Sequence, residues 1–202
     1  MQSEIIRKTE YKTAVWAGGT TEEIYIYPPQ SSYKERNFAF RLSSATVSGE
    51  ASVFTALPGV SRTLLLLDGS VRLFHSGAHT AELLPGMQDT FSGGCETLSR
   101  GTGRDLNLMT MGGAAGRMAC QTLLPKSGTE LCCSARAETD GFLILYVLGQ
   151  LALSEGGQTL FLGAGDSAVF AWEAGEKGRR ITVRNAQDVK ISFAAAEVWL
   201  SK

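Results

Sequence analysis

Leu64-Leu65-Leu66-Leu67-Asp68-Gly69-Ser70-Val71-Arg72-Leu73 and Ile144-Leu145-Tyr146-Val147-Leu148-Gly149-Gln150-Leu151-Ala152-Leu153 run in register, 80 residues apart. Each is an apolar run that meets a glycine, turns and resumes. The same offset carries Gly77 onto Gly157, and after a loop three residues shorter Gly86-Met87-Gln88-Asp89 falls on Gly163-Ala164-Gly165-Asp166, 77 residues on. A repeat of this length is a whole β-unit rather than one turn of a solenoid. It predicts an all-β protein made of two related β-barrels in tandem. Such barrels are containers, so function is sought in an interior pocket.

Working outward, most segments alternate every second residue and are punctuated at short intervals by Gly, Pro, Asn, Asp and Ser, the pattern of a β-sandwich or barrel. Strands are predicted at residues 23–27, 38–47, 52–55, 62–67, 71–75 and 104–111, then at 118–124, 130–135, 141–147, 151–154, 167–171, 180–185 and 189–194. A short helical turn fits residues 194–200, and no other segment carries a helical stripe. The glycine-rich run Gly112-Gly113-Ala114-Ala115-Gly116 breaks the periodicity and suits a crossover. The boundary is placed there: residues 1–112 form the first barrel, with the ligand pocket, and residues 113–202 the second.

Composition excludes some partners. The 202 residues carry 19 Lys and Arg against 20 Asp and Glu, a net charge of −1. No basic run stands out, which argues against nucleic acid. The N-terminus has no apolar signal core and no stretch reaches membrane-spanning length, so a cytoplasmic protein with no membrane partner is expected. Cys95, Cys120, Cys132 and Cys133 lack metal-type spacing and read as reduced thiols.

The polar residues of the first half are the candidates for chemistry. In Asn37-Phe38-Ala39-Phe40-Arg41-Leu42-Ser43-Ser44-Ala45-Thr46, alternation puts Arg41 and Ser43 on one face and Phe38, Phe40 and Leu42 on the other. Two readings of Arg41 fit: a solvent-facing residue outside the barrel, or an inward guanidinium that clamps a carboxylate with its planar fork. In Arg104-Asp105-Leu106-Asn107-Leu108-Met109, Asp105, Asn107 and Met109 share a face, although Asp and Asn are poor strand formers. Asp105 either pairs with Arg41 or caps a loop, as buried charges do, while Asn107 could read the polar end of a ligand. Val15-Trp16-Ala17-Gly18-Gly19-Thr20-Thr21-Glu22-Glu23 joins an aromatic, two glycines and two hydroxyls before a strand. It is either a tight loop packing Trp16 on the barrel or a binding loop, and it lacks the ending of a phosphate loop.

Metal and nucleophile chemistry find little support in the sequence. The two histidines, His75 and His79, flank a hairpin turn and read as surface residues lacking a third ligand. No nucleophile elbow accompanies them. No cofactor is expected.

The succession Trp16 to Ile24, Phe40-Arg41-Leu42-Ser43-Ser44-Ala45, Phe54-Thr55-Ala56-Leu57-Pro58-Gly59-Val60-Ser61-Arg62 and Asp105-Leu106-Asn107-Leu108-Met109 resembles the HutD/Ves family. The resemblance covers most of the first half; the second half is similar in length and β pattern. It implies a bicupin, two tandem cupin β-barrels. It also implies a link to histidine utilisation, with HutD regarded as a governor that binds a pathway metabolite without established catalysis, and with the role of Ves obscure. Where many HutD proteins read Trp-Lys-Asn-Gly-Gly-Gly, this chain reads Trp16-Ala17-Gly18-Gly19-Thr20. The cupin metal motif, His-x-His with a later Glu and His, is absent from both repeats, which disfavours a metal-dependent dioxygenase.

These readings converge on a metal-free bicupin that binds a small polar metabolite, a carboxylate or a formylated or imidazole-bearing acid, in the first barrel. Arg41 fixes the carboxylate, Asp105 and Asn107 read the polar group, and Trp16 and Phe54 wall the apolar part. Thr20, Thr21, Ser43 and Arg62 are second choices. One rival is an isomerase or hydrolase with Glu23 or Asp105 as general base and Arg41 as oxyanion partner. Another is an interaction module or homodimer that uses an apolar patch from residues 189–193 and 198–200.

Overall fold

In the computed structural model, which describes residues 2–16, 18–133, 138–176 and 178–201, the alternating segments become strands. In chain order these are β1 (Gln2–Ile6), β2 (Lys12–Trp16), β3 (Gly19–Tyr27), β4 (Phe40–Val53), β5 (Ser61–His75), β6 (Thr80–Leu83), β7 (Gln88–Ser92) and β8 (Thr97–Thr110). There follow β9 (Ala114–Leu123), β10 (Gly128–Cys133), β11 (Thr139–Val147), β12 (Leu151–Glu155), β13 (Gln158–Leu162), β14 (Ser167–Trp172), β15 (Arg179–Arg184) and β16 (Ile191–Ser201). A 3-10 turn spans Lys8–Glu10, and no described helix is long and apolar enough to cross a membrane. The predicted strand at 130–135 is described as far as Cys133; residues 134 and 135, like Ala17 of the Trp16 motif, lie outside the described residues.

The chain divides into two compact units, Tyr11–Arg117 and Met118–Lys202 together with Met1–Glu10. This moves the expected division. The glycine run is no long crossover, because Ala114 N–H closes a turn on the Met111 carbonyl and β9 begins at once. The first residues, expected in the first barrel, belong with the second unit, since β1 pairs with β14 from Gln2↔Ala171 to Ile6↔Ser167.

In the Tyr11–Arg117 unit the sheet order is β2-β3-β4-β8-β5-β6, with β7 also paired to β5. β5 has 15 residues; residues 61–65 pair with β7 and residues 71–74 with β6. One bent strand thus serves both halves of the barrel, where two strands were expected. The bend is a bulge against β8 between Leu66 and Asp68. Gly69 follows it at φ 83°, and a Cβ there would overlap the Thr102 carbonyl. Gly69 therefore marks a bulge that only glycine fits rather than a chain reversal.

The other unit has two sheets, β1-β14-β11-β16-β9 and β10-β15-β12-β13. The runs β14-β11-β16-β9 and β10-β15-β12-β13 repeat β7-β5-β8-β4 and β4-β8-β5-β6 of the first unit, with each long strand cut in two. The duplication read from the sequence is therefore present in the strand order. Its alignment shifts at one place: Leu84–Met87 and Gly163–Asp166 are the matching turns, with Gly86 and Gly165 both at φ 86° and donating to the carbonyls of Leu66 and Val147. Gly86 thus corresponds to Gly165, and Asp89 is not the counterpart of Asp166.

The two interiors are filled differently. In the second, a continuous apolar cluster includes Leu143, Leu145, Val147, Phe170, Trp172, Ile181 and Phe193. In the first, Leu64, Leu66, Val71, Leu73, Leu83 and Phe91 form one cluster and Ile26, Phe38, Leu57, Val60 and Met109 another. The predicted helical turn at 194–200 is instead part of β16, paired with β11; alternating burial of Ala194, Ala196 and Val198 overrides the helix propensity of an Ala-rich stretch. Phe193 and Val198 are fully buried, which removes most of the apolar patch required by the interaction-module reading.

Candidate functional site

Three strands of the first unit carry the site in register. Across β4, β8 and β5 the facing residues form rows: Arg41, Met109 and Arg62; Ser43, Asn107 and Leu64; Ala45, Asp105 and Leu66. Residues two apart share a face, so the polar members of these rows project to one side. There they line a cavity of about 270 Å³. Arg41 faces this cavity rather than solvent. The opposite face of β4 is also dry, with Phe40 stacked on Tyr25 and Tyr27, which is why alternation alone did not distinguish the two sides.

Arg41 is already engaged. Its Nε donates to Glu23 Oε2 at 2.7 Å and its Nη1 to Ser43 Oγ at 2.9 Å, and its guanidinium lies 4.7 Å from the centre of the Tyr33 ring. Glu23 reaches it because β3 pairs Glu23 with Ser43. The expected Arg41–Asp105 pair does not form.

Arg62 is in the opposite condition. Only 6% exposed, it makes no hydrogen bond or ion pair among the described residues, and its buried Nε has no partner. Phe54 and Phe91 cover its faces at 4.6 and 5.4 Å. Burial lowers its pKa to about 10, so at neutral pH it remains a cation. Asp105, 3% exposed, has its pKa raised to about 7 by burial, against the opposing pull of Arg62 and the Ala45 N–H. Its Oδ1 and Asn107 Oδ1 are buried without partners. One unbonded cation and two unbonded acceptors thus border a single cavity. Buried polar atoms in folded proteins are nearly always satisfied, so three of them on one cavity wall call for a partner such as water, an ion or a ligand.

Among the residues expected in the site, Trp16, Thr21, Arg41, Ser43, Phe54, Arg62, Asp105 and Asn107 all line the cavity; Thr20 does not. Thr20 pairs with Thr46 while Thr21 pairs with Ala45, and the pleat sends neighbours to opposite faces. Trp16 is at the rim, its indole N–H bonded to Thr21 Oγ1 at 3.1 Å. Gly18 makes that placement possible, because a Cβ there would overlap the indole and Ser52 Oγ. Sequence reasoning missed Tyr33, Val47, Val53 and Met109 of the lining. Alternation places Met109 on the face of Asp105 and Asn107 without giving it a role; Tyr33 arrives on an irregular loop and left no signal.

The second unit supplies an internal comparison. With Val147 matching Leu66, the registers of β5 with β8 and of β11 with β16 place Leu143 at the position of Arg62, Phe193 at that of Asp105 and Ala195 at that of Asn107. The same scaffold packs apolar side chains where the first unit holds its unbonded polar groups. These three are therefore not demanded by the fold.

The histidines require a correction. His75 is buried, with no side-chain exposure, because it continues the inward-facing series Val71, Leu73 of β5 rather than lying in the turn. Its Nε2 meets Asp89 Oδ2 at 2.8 Å and its Nδ1 meets Thr97 Oγ1 at 2.8 Å. His79, on the turn, approaches the same carboxylate at 3.0 Å. Burial lowers the pKa of His75, partly offset by Asp89.

Comparison with known proteins gives one family. The HutD family model matches residues 8–191. A conserved protein of unknown function from Pseudomonas aeruginosa is 25% identical, with a TM-score of 0.79 over 98% of this chain and 99% of that one. HutD from Pseudomonas fluorescens is 21% identical, with a TM-score of 0.70 over the whole of both chains. Oxalate decarboxylase from Bacillus subtilis, at 10% identity and a TM-score of 0.67 over 95% of this chain and 76% of that one, shares the fold. No curated protein matches the sequence.

Proposed function

This chain belongs to the HutD family, and we propose that its first barrel binds a small carboxylate metabolite, as a sensor or governor related to histidine utilisation. The observation that carries this reading is Arg62, a buried guanidinium on the cavity wall with no hydrogen-bond partner. A buried cation left alone is strongly unfavourable, and an anion that enters the cavity relieves it. The planar fork of Arg suits a carboxylate. Asn107 and Asp105, on the neighbouring strand, accept N–H or O–H donors from the rest of the ligand, while Phe54 and Trp16 wall its apolar part. The demand is for an acid that also carries an amide, formyl, formimino or imidazole group, small enough for about 270 Å³. Arg62 takes the leading role that the sequence reading gave to Arg41, since Arg41 is occupied by Glu23 and Ser43.

The test is thermal stabilisation and calorimetric titration with histidine, urocanate, formiminoglutamate, formylglutamate and unrelated organic acids. One of the nitrogen-bearing acids should raise the unfolding temperature by mass action, and Arg62→Gln should abolish the rise. Absence of a response to every acid, or a response unchanged by Arg62→Gln, overturns the reading.

A second reading rests on Asp105. A carboxyl group whose pKa is about 7, inside a cavity, is poised for general acid or base work. Turnover of the bound acid, followed by proton NMR and abolished in Asp105→Asn with binding retained, would make the protein an isomerase or hydrolase.

A further inference from the structure

His75, His79 and Asp89 come together from the end of β5, the turn after it and β7. Nε2 of His75 is 2.8 Å from Asp89 Oδ2, and Nε2 of His79 is 3.0 Å from Oδ1. The two rings are 4.5 Å apart, and the three donor atoms lie within 4.8 Å of one another.

His75 Nδ1 is held by Thr97 Oγ1 at 2.8 Å, which fixes the ring with Nε2 toward the carboxylate. His79 brings a second imidazole nitrogen to the same carboxylate, 3.0 and 3.1 Å from its two oxygens. A single divalent cation can bridge all three groups at once. Metal-ligating histidines are usually held in this way, one nitrogen toward the metal and the other engaged by a second group.

We propose that His75, His79 and Asp89 form a binding site for a first-row divalent transition metal of the zinc type, with a coordination position left open on the His79 side. Two imidazoles and one carboxylate are a donor set that such ions favour. Tetrahedral donors about 2.0–2.1 Å from zinc stand roughly 3.3 Å apart, so the present contacts need only a slight opening. His79, 46% exposed at its side chain, can supply that movement and the entry path. Arg62, Asp105 and Asn107 supply no ligand to this site, although the Arg62 charge reaches His75.

The experiment is calorimetric titration of the metal-free chain, without a polyhistidine tag, with Zn²⁺ and Co²⁺, paired with the cobalt visible spectrum. The expected result is one ion per chain, d–d bands without a thiolate charge-transfer band, and a raised unfolding temperature. His79→Ala and Asp89→Asn, both checked to unfold cooperatively without metal, should each weaken binding at least tenfold; Cys95→Ser should leave it unchanged. No uptake, uptake indifferent to His79→Ala and Asp89→Asn, or uptake lost in Cys95→Ser overturns the proposal.

Discussion

Arg41 Nε lies 2.7 Å from Glu23 Oε2, and this one contact separates the two arginines of the cavity. Arg41 is balanced by its carboxylate in a direct ion pair, whereas Arg62, facing the same space from β5, makes no ion pair and feels Asp105 only at longer range. Glu23→Gln should remove that balance. Breaking a buried pair costs about 3–5 kcal/mol; with Glu23 18% exposed, a loss at the lower end is expected. The same change adds a positive charge to the cavity. The variant should therefore melt lower without ligand and bind the responsive acid several-fold more tightly, as read by parallel melting and calorimetry.

Arg62→Leu should do the reverse. It installs the residue that the second unit holds at the matching position, Leu143, and removes a buried charge that has no direct ion pair. Exchanging buried ionic groups for apolar ones is often neutral or stabilising by about 1–4 kcal/mol. The ligand-free protein should melt at the same or a higher temperature while acid binding falls at least a hundredfold. A large loss of stability would mean that Arg62 is structural.

Asp105 makes stability and binding depend on pH. Its folded pKa is about 7 against about 3.9 in an unfolded chain. Between these values the folded state holds a proton that the unfolded state has released, so stability falls as pH rises and levels off above pH 7. Asp105→Asn should flatten that decline and leave the ligand-free variant more stable at pH 8 by up to a few kcal/mol. A bound carboxylate favours the protonated form of Asp105, so the native protein should bind the acid more tightly at pH 6 than at pH 8. In Asp105→Asn this difference should vanish.

The architecture was largely legible, because a duplicated β-unit leaves its period in the apolar runs and the family segments fall in order. What escaped was how each strand is used. Gly69 reads like a turn in sequence, yet β5 passes through it as a bulge against Thr102. Residues 194–200 have helix propensity, yet β11 recruits them as a strand. For the site, alternation correctly grouped Arg41 with Ser43 and Asp105 with Asn107. It could not rank Arg62 above Arg41, because that depends on Glu23, which the register of β3 brings across from another strand. His75 and Asp89 were missed for the same reason: a turn in sequence says nothing of which carboxylate faces it across the barrel.

Gly18 gives a test of the cavity rim. A methyl group there would collide with the Trp16 indole and Ser52 Oγ, and the indole is the movable partner. Gly18→Ala should swing Trp16 away from Thr21, shift its fluorescence toward the emission of a more exposed tryptophan and weaken acid binding about tenfold. Comparison with Trp16→Phe isolates this signal from the other tryptophans. Unchanged emission would show that the rim relaxes elsewhere.

The second unit holds its own buried arginine, and the contrast tests how much a missing partner matters. Arg179 is 5% exposed, but its Nε donates to Glu155 Oε1 at 2.6 Å, its Nη1 to the Ala171 carbonyl at 2.8 Å and its Nη2 to Glu155 Oε2. This is a two-pronged, fully engaged guanidinium. Glu155→Ala removes its carboxylate and leaves the Ala171 carbonyl bond, beside a packed core instead of a cavity. The expected cost is about 3–5 kcal/mol, visible as a lowered denaturation midpoint that added organic acids do not restore. Arg62 should respond to those acids and Arg179 should not, because Arg62 lines the cavity of about 270 Å³ and Arg179 does not. Rescue of Glu155→Ala by the same acids would show that any buried arginine in this fold that loses its carboxylate recruits an anion, and would remove the special status of the first barrel.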